Sequence, residues 1–467
     1  MKKEKIKKKE IYLLLLVSIV VLILPHLLRS NMSSFGYDSY YHIRSIESIK
    51  EEGINQKDNL FFGLRHFKIS PLDILLSIFP NTIFLIRIIP FLTGIISIIL
   101  YYEILKKLNP KKGLNLFAPF ILLTSPIFIY SFSVYNEYFF SYFLILMGSY
   151  FFLNEKIMFS LIFFGLSPLF NPQCIIIVII VLAILFKHFK EKTTFISFVI
   201  ITLAFIFFLK ETNNSYSLFD IPPTNEFISD FGAKIGFGVF SLLLAFCGLV
   251  LSWKNKKKYY LIYFIIFSTG LVSIRLDFLK LFVDMILIAF GSIALYKIKS
   301  LNWENKKLKE YTILLLICGL IFSSASQIKK ISTDPPLANE QTALHWLNKN
   351  SDENSVIISH YKYGHMIQSI AKRTVIIDKL YHDTTKENIR LYNSTDLFNS
   401  RNFKKINKLI NIYNITHFYI TKEMKKGLVW KKEDEGILLI LSNGERFKKI
   451  YDFEEIEIYK VKKIEKY

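Results

Sequence analysis

Residues 1–28 read MKKEKIKKKEIYLLLLVSIVVLILPHLL, a lysine-rich head followed at once by an unbroken apolar run. A basic head before an apolar run is also the pattern of a cleaved signal peptide, but that pattern ends in small residues at the cleavage site. Here the run continues into RSNMSS, residues 29–34. We therefore predict an uncleaved first membrane span at 11–28, and this stretch places the chain among membrane proteins.

Similar apolar blocks recur along the chain and predict a polytopic α-helical membrane protein with about eleven spans. Three central blocks are shorter than the roughly 20 residues that a perpendicular helix needs, and 157–186 reads equally well as one span broken at its prolines. After the first span, the candidate spans are 82–102, 115–134, 138–153, 157–170, 174–186, 193–209, 235–252, 259–274, 278–296 and 311–327.

Much of the positive charge of the chain lies in its predicted loops. Among 467 residues, 52% are apolar, and 59 Lys and Arg against 38 Asp and Glu give a net charge of +21. Such an excess could indicate nucleic-acid binding, but many of the lysines sit in short loops on one side of the predicted spans, as cytoplasmic loops do. We therefore expect no nucleic-acid partner, a cytoplasmic N-terminus in a cell membrane and, after an odd number of spans, an extracytoplasmic C-terminus.

Two domains follow from the hydropathy pattern. Residues 1–327 form the predicted membrane domain, with external loops at about 31–80 and 211–234. Residues 328–467 read as a soluble α/β domain on the outer face, because helix-like and strand-like patterns alternate. Its predicted helices are 338–349, 364–372 and 402–413, and its predicted strands are 355–359, 374–377, 416–420, 437–441 and 455–461.

Ionisable residues at the predicted outer membrane surface are the candidates for chemistry. The first external loop contains GYDSYYHIR, with Asp38 near its start, and Glu137 lies in a very short junction between apolar blocks. Two carboxylates on one membrane face could hold Mg²⁺ or Mn²⁺, with His42 and Asn136 as further ligands. The alternative for Asp38 is a solvated loop with interfacial tyrosines.

Arg275 lies at the predicted outer start of the tenth span and could bind a phosphate through both arms of its guanidinium. The alternative is an arginine whose head group simply reaches the interface. Asp277 and Asp284 are spaced to pair with Lys280 on one helix face. Together with Asp38 and Glu137, Arg275 indicates chemistry on a lipid-linked phosphate.

The sequence resembles the catalytic subunit of oligosaccharyltransferase of the archaeal and eukaryotic type, a GT-C membrane glycosyltransferase. The first motif is Asp38-Ser-Tyr-Tyr41-His42-Ile-Arg44, and the second is Tyr135-Asn136-Glu137. The resemblance implies that Asp38 and Glu137 are catalytic and that Tyr41 and Arg44 bind substrate. It further implies a mobile-loop glutamate, Glu226, and a diphosphate-binding Arg275-Leu276 pair.

The soluble domain departs from this family at its acceptor motif. Where the family has W-W-D-Y-G, this chain has His360-Tyr361-Lys362-Tyr363-Gly364. The resemblance places acceptor binding at Tyr361, Lys362 and Tyr363, but a lysine cannot accept a hydrogen bond from a hydroxyl as an aspartate does. We therefore expect another acceptor, such as a lipid-linked glycan, or altered peptide specificity. The structural alternative is a strand-to-helix turn that needs Gly364 for its backbone.

The function implied is transfer of a sugar or oligosaccharide from a polyprenyl-phosphate or -diphosphate carrier to an acceptor protein or glycan at the outer face of the bilayer. Two alternatives stay open at this point. One is a non-catalytic relative that binds lipid-linked glycan. The other is a transporter, although the charged candidates gather at one membrane face and not near the midplane, where transporter sites lie.

Overall fold

The structure is a computed structural model. In it the chain folds into two compact units. The membrane unit comprises Met1–Arg29 and Arg87–Thr333, and the sheet unit comprises Ser30–Ile86 and Asp334–Tyr467. The predicted external loop at 31–80 therefore groups with the C-terminal domain, whereas the sequence analysis grouped it with the membrane domain. The residues described are 2–29, 33–54, 57–67, 69–109, 114–136, 138–185, 227–274, 276–380, 385–432, 434–442, 444 and 446–462.

The elements are numbered in chain order over the described residues. The helices are α1 (Lys2–Leu28), α2 (Gly36–Glu52), α3 (Pro71–Ser77), α4 (Thr82–Leu108), α5 (Leu114–Leu123), α6 (Pro126–Ser133), α7 (Phe139–Leu153), α8 (Ile157–Phe170), α9 (Ile175–Leu185), α10 (Val239–Ser252), α11 (Lys256–Ser273), α12 (Asp277–Ser300), α13 (Lys306–Ser332), α14 (Ala338–Asn350), α15 (Gly364–Met366), α16 (Thr385–Asn399), α17 (Phe403–Tyr413) and α18 (Leu438–Leu441). The strands are β1 (Lys57–Asp58), β2 (Arg65–His66), β3 (Val356–Ile358), β4 (Thr374–Val375), β5 (Ile415–Ile420), β6 (Phe447–Phe453) and β7 (Ile456–Val461).

The apolar helices identify a multi-pass membrane protein. Within the described ranges, four helices are long and apolar enough to cross a membrane: Lys9–Leu28, Thr82–Leu108, Asp277–Ser300 and Lys306–Ser332. The block predicted as one span at 115–134 is a pair of helices, α5 and α6, bent by 65°. The break is Thr124-Ser125, directly before Pro126, because proline removes a backbone donor and clashes with the preceding turn. The predicted span at 193–209 lies outside the described residues.

Helix α12 is the buried core of the membrane unit, with 78% of its most apolar window buried. It contacts α10 closely, since a Cβ at Gly248 would meet the Phe290 carbonyl oxygen at 1.9 Å. Polar contacts also hold it: Ser125 donates to the buried Asp284 carboxylate at 2.5 Å. The predicted Asp277–Lys280 pair is confirmed at 2.6 Å. Asp284 has Ser125 as its hydrogen-bond partner, whereas the sequence offered Lys280.

The sheet unit contains a five-stranded mixed sheet in the order β4-β3-β5-β7-β6. Strand β3 pairs parallel with β4 and β5, and β7 pairs antiparallel with β5 and β6. Four of the five predicted strands are confirmed. The prediction of a strand at 437–441 is wrong, because these residues form the short helix α18. Strand β6 was not predicted, because exposed lysines, a common feature of edge strands, hide its pattern.

Local capping explains where the helices of the sheet unit begin. Ser70 accepts the Leu72 N–H at 3.3 Å and Pro71 opens α3, which fixes Asp73 in its first turn. Asn402 caps α17 by accepting from two backbone N–H groups. Helix α17 then buries one apolar face and ends at Asn414, whose φ of 51° is left-handed.

Candidate functional site

Helix α2 carries the whole first motif. It begins at Gly36, whose φ of +73° lets the chain turn into the helix and whose N–H donates to the Pro335 carbonyl at 3.0 Å. Asp38 lies in the first turn, where the positive end of the helix dipole favours a carboxylate. Its side chain is 38% exposed, whereas Tyr41, His42 and Arg44 are buried. Asp38 is therefore the member of this motif best placed to meet a substrate.

Asp38 is paired with a cation supplied by the chain. The Lys379 ammonium lies 2.6 Å and 2.7 Å from the two Asp38 carboxylate oxygens. Both side chains are partly exposed. Over the described residues, no three His, Cys, Asp or Glu side chains cluster as a metal site. A metal ion bound at Asp38 would therefore have to displace the Lys379 ammonium.

The three other residues of the motif make internal contacts. His42 Nδ1 lies 3.0 Å from both Asp73 oxygens, and both side chains are buried. Arg44 donates to the Asn59 amide oxygen at 2.9 Å. The Tyr41 ring contacts the rings of His42, Phe67 and His365. These contacts hold α2 in place, so the substrate and metal roles predicted for Tyr41, His42 and Arg44 stay predictions.

A buried charge cluster, defined here as Asp58, Arg65, His365, Gln368 and Asp378, joins the first loop to the C-terminal domain. Arg65 binds both Asp378 oxygens, the first at 2.9 Å. Its guanidinium also approaches Asp58 at 3.9 Å. Gln368 donates to the same Asp58 oxygen, Oδ2, at 3.1 Å. These contacts connect β1 and β2 to the residues around α15 and β4.

Burial and mutual contacts shift the pKa values of several members of the cluster. Burial raises the pKa of Asp378, but His365 and the Arg65 guanidinium outweigh burial and hold that pKa below its usual value. Burial raises the pKa of Asp58, which Arg65 opposes. Burial also lowers the pKa of His365, which the Asp378 carboxylate opposes. The Arg65–Asp378 pair therefore carries the charge that holds the two segments together.

The predicted acceptor motif is a tight turn between β3 and α15. Gly364 is required by close approach, because a Cβ there would meet the Asp378 Cβ at 2.4 Å. Tyr363 is fully buried. Tyr361 is less buried, and its ring lies 4.2 Å from that of His360. Burial and the Lys362 charge lower the pKa of His360 to about 4.

Glu423 is a site residue that sequence reasoning missed. The Tyr363 hydroxyl donates to Glu423 Oε2 at 2.8 Å, and Tyr37 donates to the same oxygen at 3.3 Å. Lys362 Nζ lies 3.7 Å from the other oxygen, Oε1. The Glu423 side chain is 49% exposed. A carboxylate thus stands beside Lys362 in the predicted acceptor motif, and Tyr37, the residue before Asp38, links this carboxylate to α2.

The remaining predicted residues belong to the membrane unit. Asn136 uses its amide in a turn before α7: its nitrogen donates to Ser131 and Val134 carbonyls, and its oxygen accepts the N–H groups of Tyr138 and Phe139. Its role as a metal ligand would compete with these bonds and stays a prediction. Glu137, Glu226 and Arg275 lie outside the described residues.

Comparison with solved structures identifies the fold. The Archaeoglobus fulgidus oligosaccharyltransferase in its apo form matches with TM-score 0.63 and 13% identity over 89% of this chain and 70% of that chain. The archaeal oligosaccharyltransferase AglB from A. fulgidus, in complex with an inhibitory peptide and a dolichol-phosphate, matches with TM-score 0.62 and 14% identity over 90% of this chain and 70% of that chain. The A. fulgidus oligosaccharyltransferase in complex with Zn and sulfate gives 0.58 and 14% over 88% and 68%.

A second protein shares the architecture over nearly its full length. ArnT from Cupriavidus metallidurans, bound to undecaprenyl phosphate, matches with TM-score 0.52 and 11% identity over 96% of this chain and 97% of that chain. No family model and no curated protein matches the sequence. The likeness establishes a GT-C-like helical membrane fold with a C-terminal α/β domain, as the sequence predicted.

Proposed function

We propose that this protein transfers a sugar or oligosaccharide from a polyprenyl-phosphate or -diphosphate carrier to an acceptor protein or glycan at the outer membrane face. The observation that carries the proposal is Asp38, a partly exposed carboxylate at the start of α2 within the Asp38–Arg44 motif. The shared fold supports it, since AglB has been solved with dolichol-phosphate and ArnT with undecaprenyl phosphate. These likenesses lend no support to the transporter or to the non-catalytic relative.

In the proposed reaction, Asp38 orients the acceptor nucleophile and takes its proton while the anomeric carbon leaves the carrier phosphate. Positive charge is needed beside that phosphate as its bond to the sugar breaks. Lys379 is adjacent to Asp38 and can supply an ammonium there. Arg275 remains our proposal for a bidentate phosphate contact. Purified protein incubated with a radiolabelled lipid-linked glycan should consume the donor and label an acceptor, and failure to do either would refute the proposal.

The proposal includes a divalent cation, Mg²⁺ or Mn²⁺, but assigns it no step of the reaction. Its support is the Zn and sulfate complex of the A. fulgidus enzyme and the pair Asp38 and Glu137 in the sequence. Binding such an ion at Asp38 would displace Lys379. When bound, it would supply the same charge to the leaving phosphate that the ammonium can supply.

The acceptor is recognised, in this proposal, by Glu423. A carboxylate held by two tyrosine hydroxyls is a fixed hydrogen-bond acceptor, and its exposed side can bind a hydroxyl or amine of the acceptor. This gives the site the acidic group that Lys362 cannot provide. Residues 360–364 then support Glu423 and do not select a peptide hydroxyl themselves.

We expect Glu423→Gln to lower acceptor-dependent transfer about tenfold or more, because it weakens a hydrogen bond to a charged group. Donor hydrolysis without acceptor should be unchanged. The assay uses one lipid-linked donor with paired peptides, Asn-x-Thr and Asn-x-Ala, or with a glycan acceptor. Glu353→Gln, an exposed glutamate elsewhere in the sheet unit, is the matched control. Threonine selectivity that survives Glu423→Gln but is abolished by Lys362→Ala would contradict this assignment.

The proposed orientation places the N-terminus in the cytoplasm and the sheet unit outside. A cysteine at position 400 should react with a membrane-impermeant maleimide in intact cells, because the lysine-rich loops define the opposite side. The parent chain, whose Cys174, Cys247 and Cys318 lie in apolar segments of the membrane unit, gives the background labelling. Reaction that requires membrane permeabilisation would overturn the orientation.

A further inference from the structure

An open cavity of about 500 Å³ lies in the membrane unit where α10 meets α11. Trp253, Lys256, Lys257, Tyr260 and Tyr263 line it. The Trp253 and Tyr263 rings are 5.4 Å apart, and the Lys256 ammonium lies 5.8 Å from the Trp253 ring centre. Aromatic rings beside lysines are typical of the level where lipid head groups begin. None of these residues takes part in the proposed reaction.

The charge at and beside this cavity comes from lysines. Lys254, Lys256 and Lys257 are exposed. Within the ranges that the structure describes, none of the three forms an ion pair with a carboxylate. Basic pockets between membrane helices attract anionic lipid head groups in this way. The charge therefore favours an anionic ligand.

An apolar track continues from the cavity along α11. Tyr260, Phe264, Phe267 and Leu271 are spaced along one helix face, and their exposed fractions lie between 55% and 69%. At 1.5 Å per residue, the track is roughly 17 Å long, comparable with an extended acyl chain. A free phosphate ion would make no contact with such an apolar surface.

We propose that this cavity binds the phosphate head group of an anionic phospholipid, whose acyl chain follows the exposed face of α11. Lys256 and Lys257 hold the phosphate, and Trp253 packs against the glycerol region. This lipid is distinct from the carrier-linked donor, and the site does not depend on the proposed transfer reaction. Its occupant belongs to the bilayer in which the protein lies.

The test titrates full-length protein in neutral detergent micelles with brominated phosphatidylglycerol or brominated phosphatidylcholine. Bromine quenches nearby tryptophan, so the difference between wild type and Trp253→Phe isolates the signal of Trp253. We expect half-maximal quenching at about tenfold less phosphatidylglycerol than phosphatidylcholine, because two lysines contact the phosphate. Lys256→Gln with Lys257→Gln should remove this preference.

The matched control is Lys306→Gln with Lys307→Gln, an exposed lysine pair at the start of α13 that does not line the cavity. It should keep the preference. Equal quenching by both lipids in the wild type would overturn the proposal. An equal loss of preference in both double variants would also overturn it, because general surface charge would then explain the preference. Displacement of the lipid by inorganic phosphate at matched concentration would overturn it as well, because the site would then bind the free ion.

Discussion

Asp38→Asn should reduce glycan transfer by on the order of 10² or more, the cost of losing one preorganised charged contact in a reaction centre. The change keeps the size of the side chain but removes both the negative charge and the general base. Glu137→Gln should have a comparable effect. The measurement is the initial rate of label transfer from a lipid-linked donor, together with donor hydrolysis in the absence of acceptor.

The control for Asp38 is Asp396→Asn, since Asp396 also pairs with a lysine, Lys405, at the surface of the sheet unit. That variant should transfer normally. Treatment with a chelator and the Lys379→Met variant then identify the cation beside the leaving phosphate. Inhibition of transfer by the chelator alone indicates a divalent metal, and loss of transfer in Lys379→Met alone indicates the Lys379 ammonium. Full activity in the Asp38→Asn/Glu137→Gln double variant would refute the mechanism.

Arg65→Met should destabilise the sheet unit by about 3–5 kcal/mol, because it leaves the buried carboxylates of Asp378 and Asp58 without their guanidinium. The measurement is thermal or denaturant unfolding of the full-length protein in detergent. The lowered pKa of Asp378 sets the pH dependence: its contribution is complete at neutral pH and is lost as pH falls through that lowered pKa.

An arginine at the surface provides the comparison. Arg401→Met removes a side chain that donates to a backbone carbonyl in an exposed region, and it should change stability by less than 0.5 kcal/mol or so. The Arg65→Met/Asp378→Asn double variant should cost less than the two single changes added together, because the second change removes a charge that the first left unpaired. Strict additivity would show that the pair does not act as a unit.

Much of the fold could be predicted from local patterns. The apolar blocks indicated the membrane helices, and alternation indicated four of the five predicted strands. The segment 437–441 failed because a run of five apolar residues fits a buried helix as well as a strand. Here the backbone N–H groups of Ile440 and Leu441 donate to the Ile437 carbonyl and close the segment into a helical turn.

The candidate site was less predictable because its contacts join distant segments. Asp58 and Arg65 look like ordinary loop charges in the sequence, and nothing nearby in the chain indicates that Asp378 is their partner. Glu423 lies in the lysine-rich stretch TKEMKK, far from residues 360–364. Asp38 could be found because its motif is local, whereas its contact with Lys379 depends on the tertiary fold.

The division of the sheet unit between two distant segments also fixes when it can form during translation. Residues 30–86 leave the ribosome early, but Asp378 and Lys379 follow only after residues 87–333 have been made. At roughly 5–20 residues per second, this interval is on the order of ten seconds or more. Until then the nascent loop exposes Asp58 and Arg65 to water. A ribosome that stops before residue 378 therefore releases a chain that has Asp38 and Arg65 but neither Lys379 nor Asp378, the residues that pair with them.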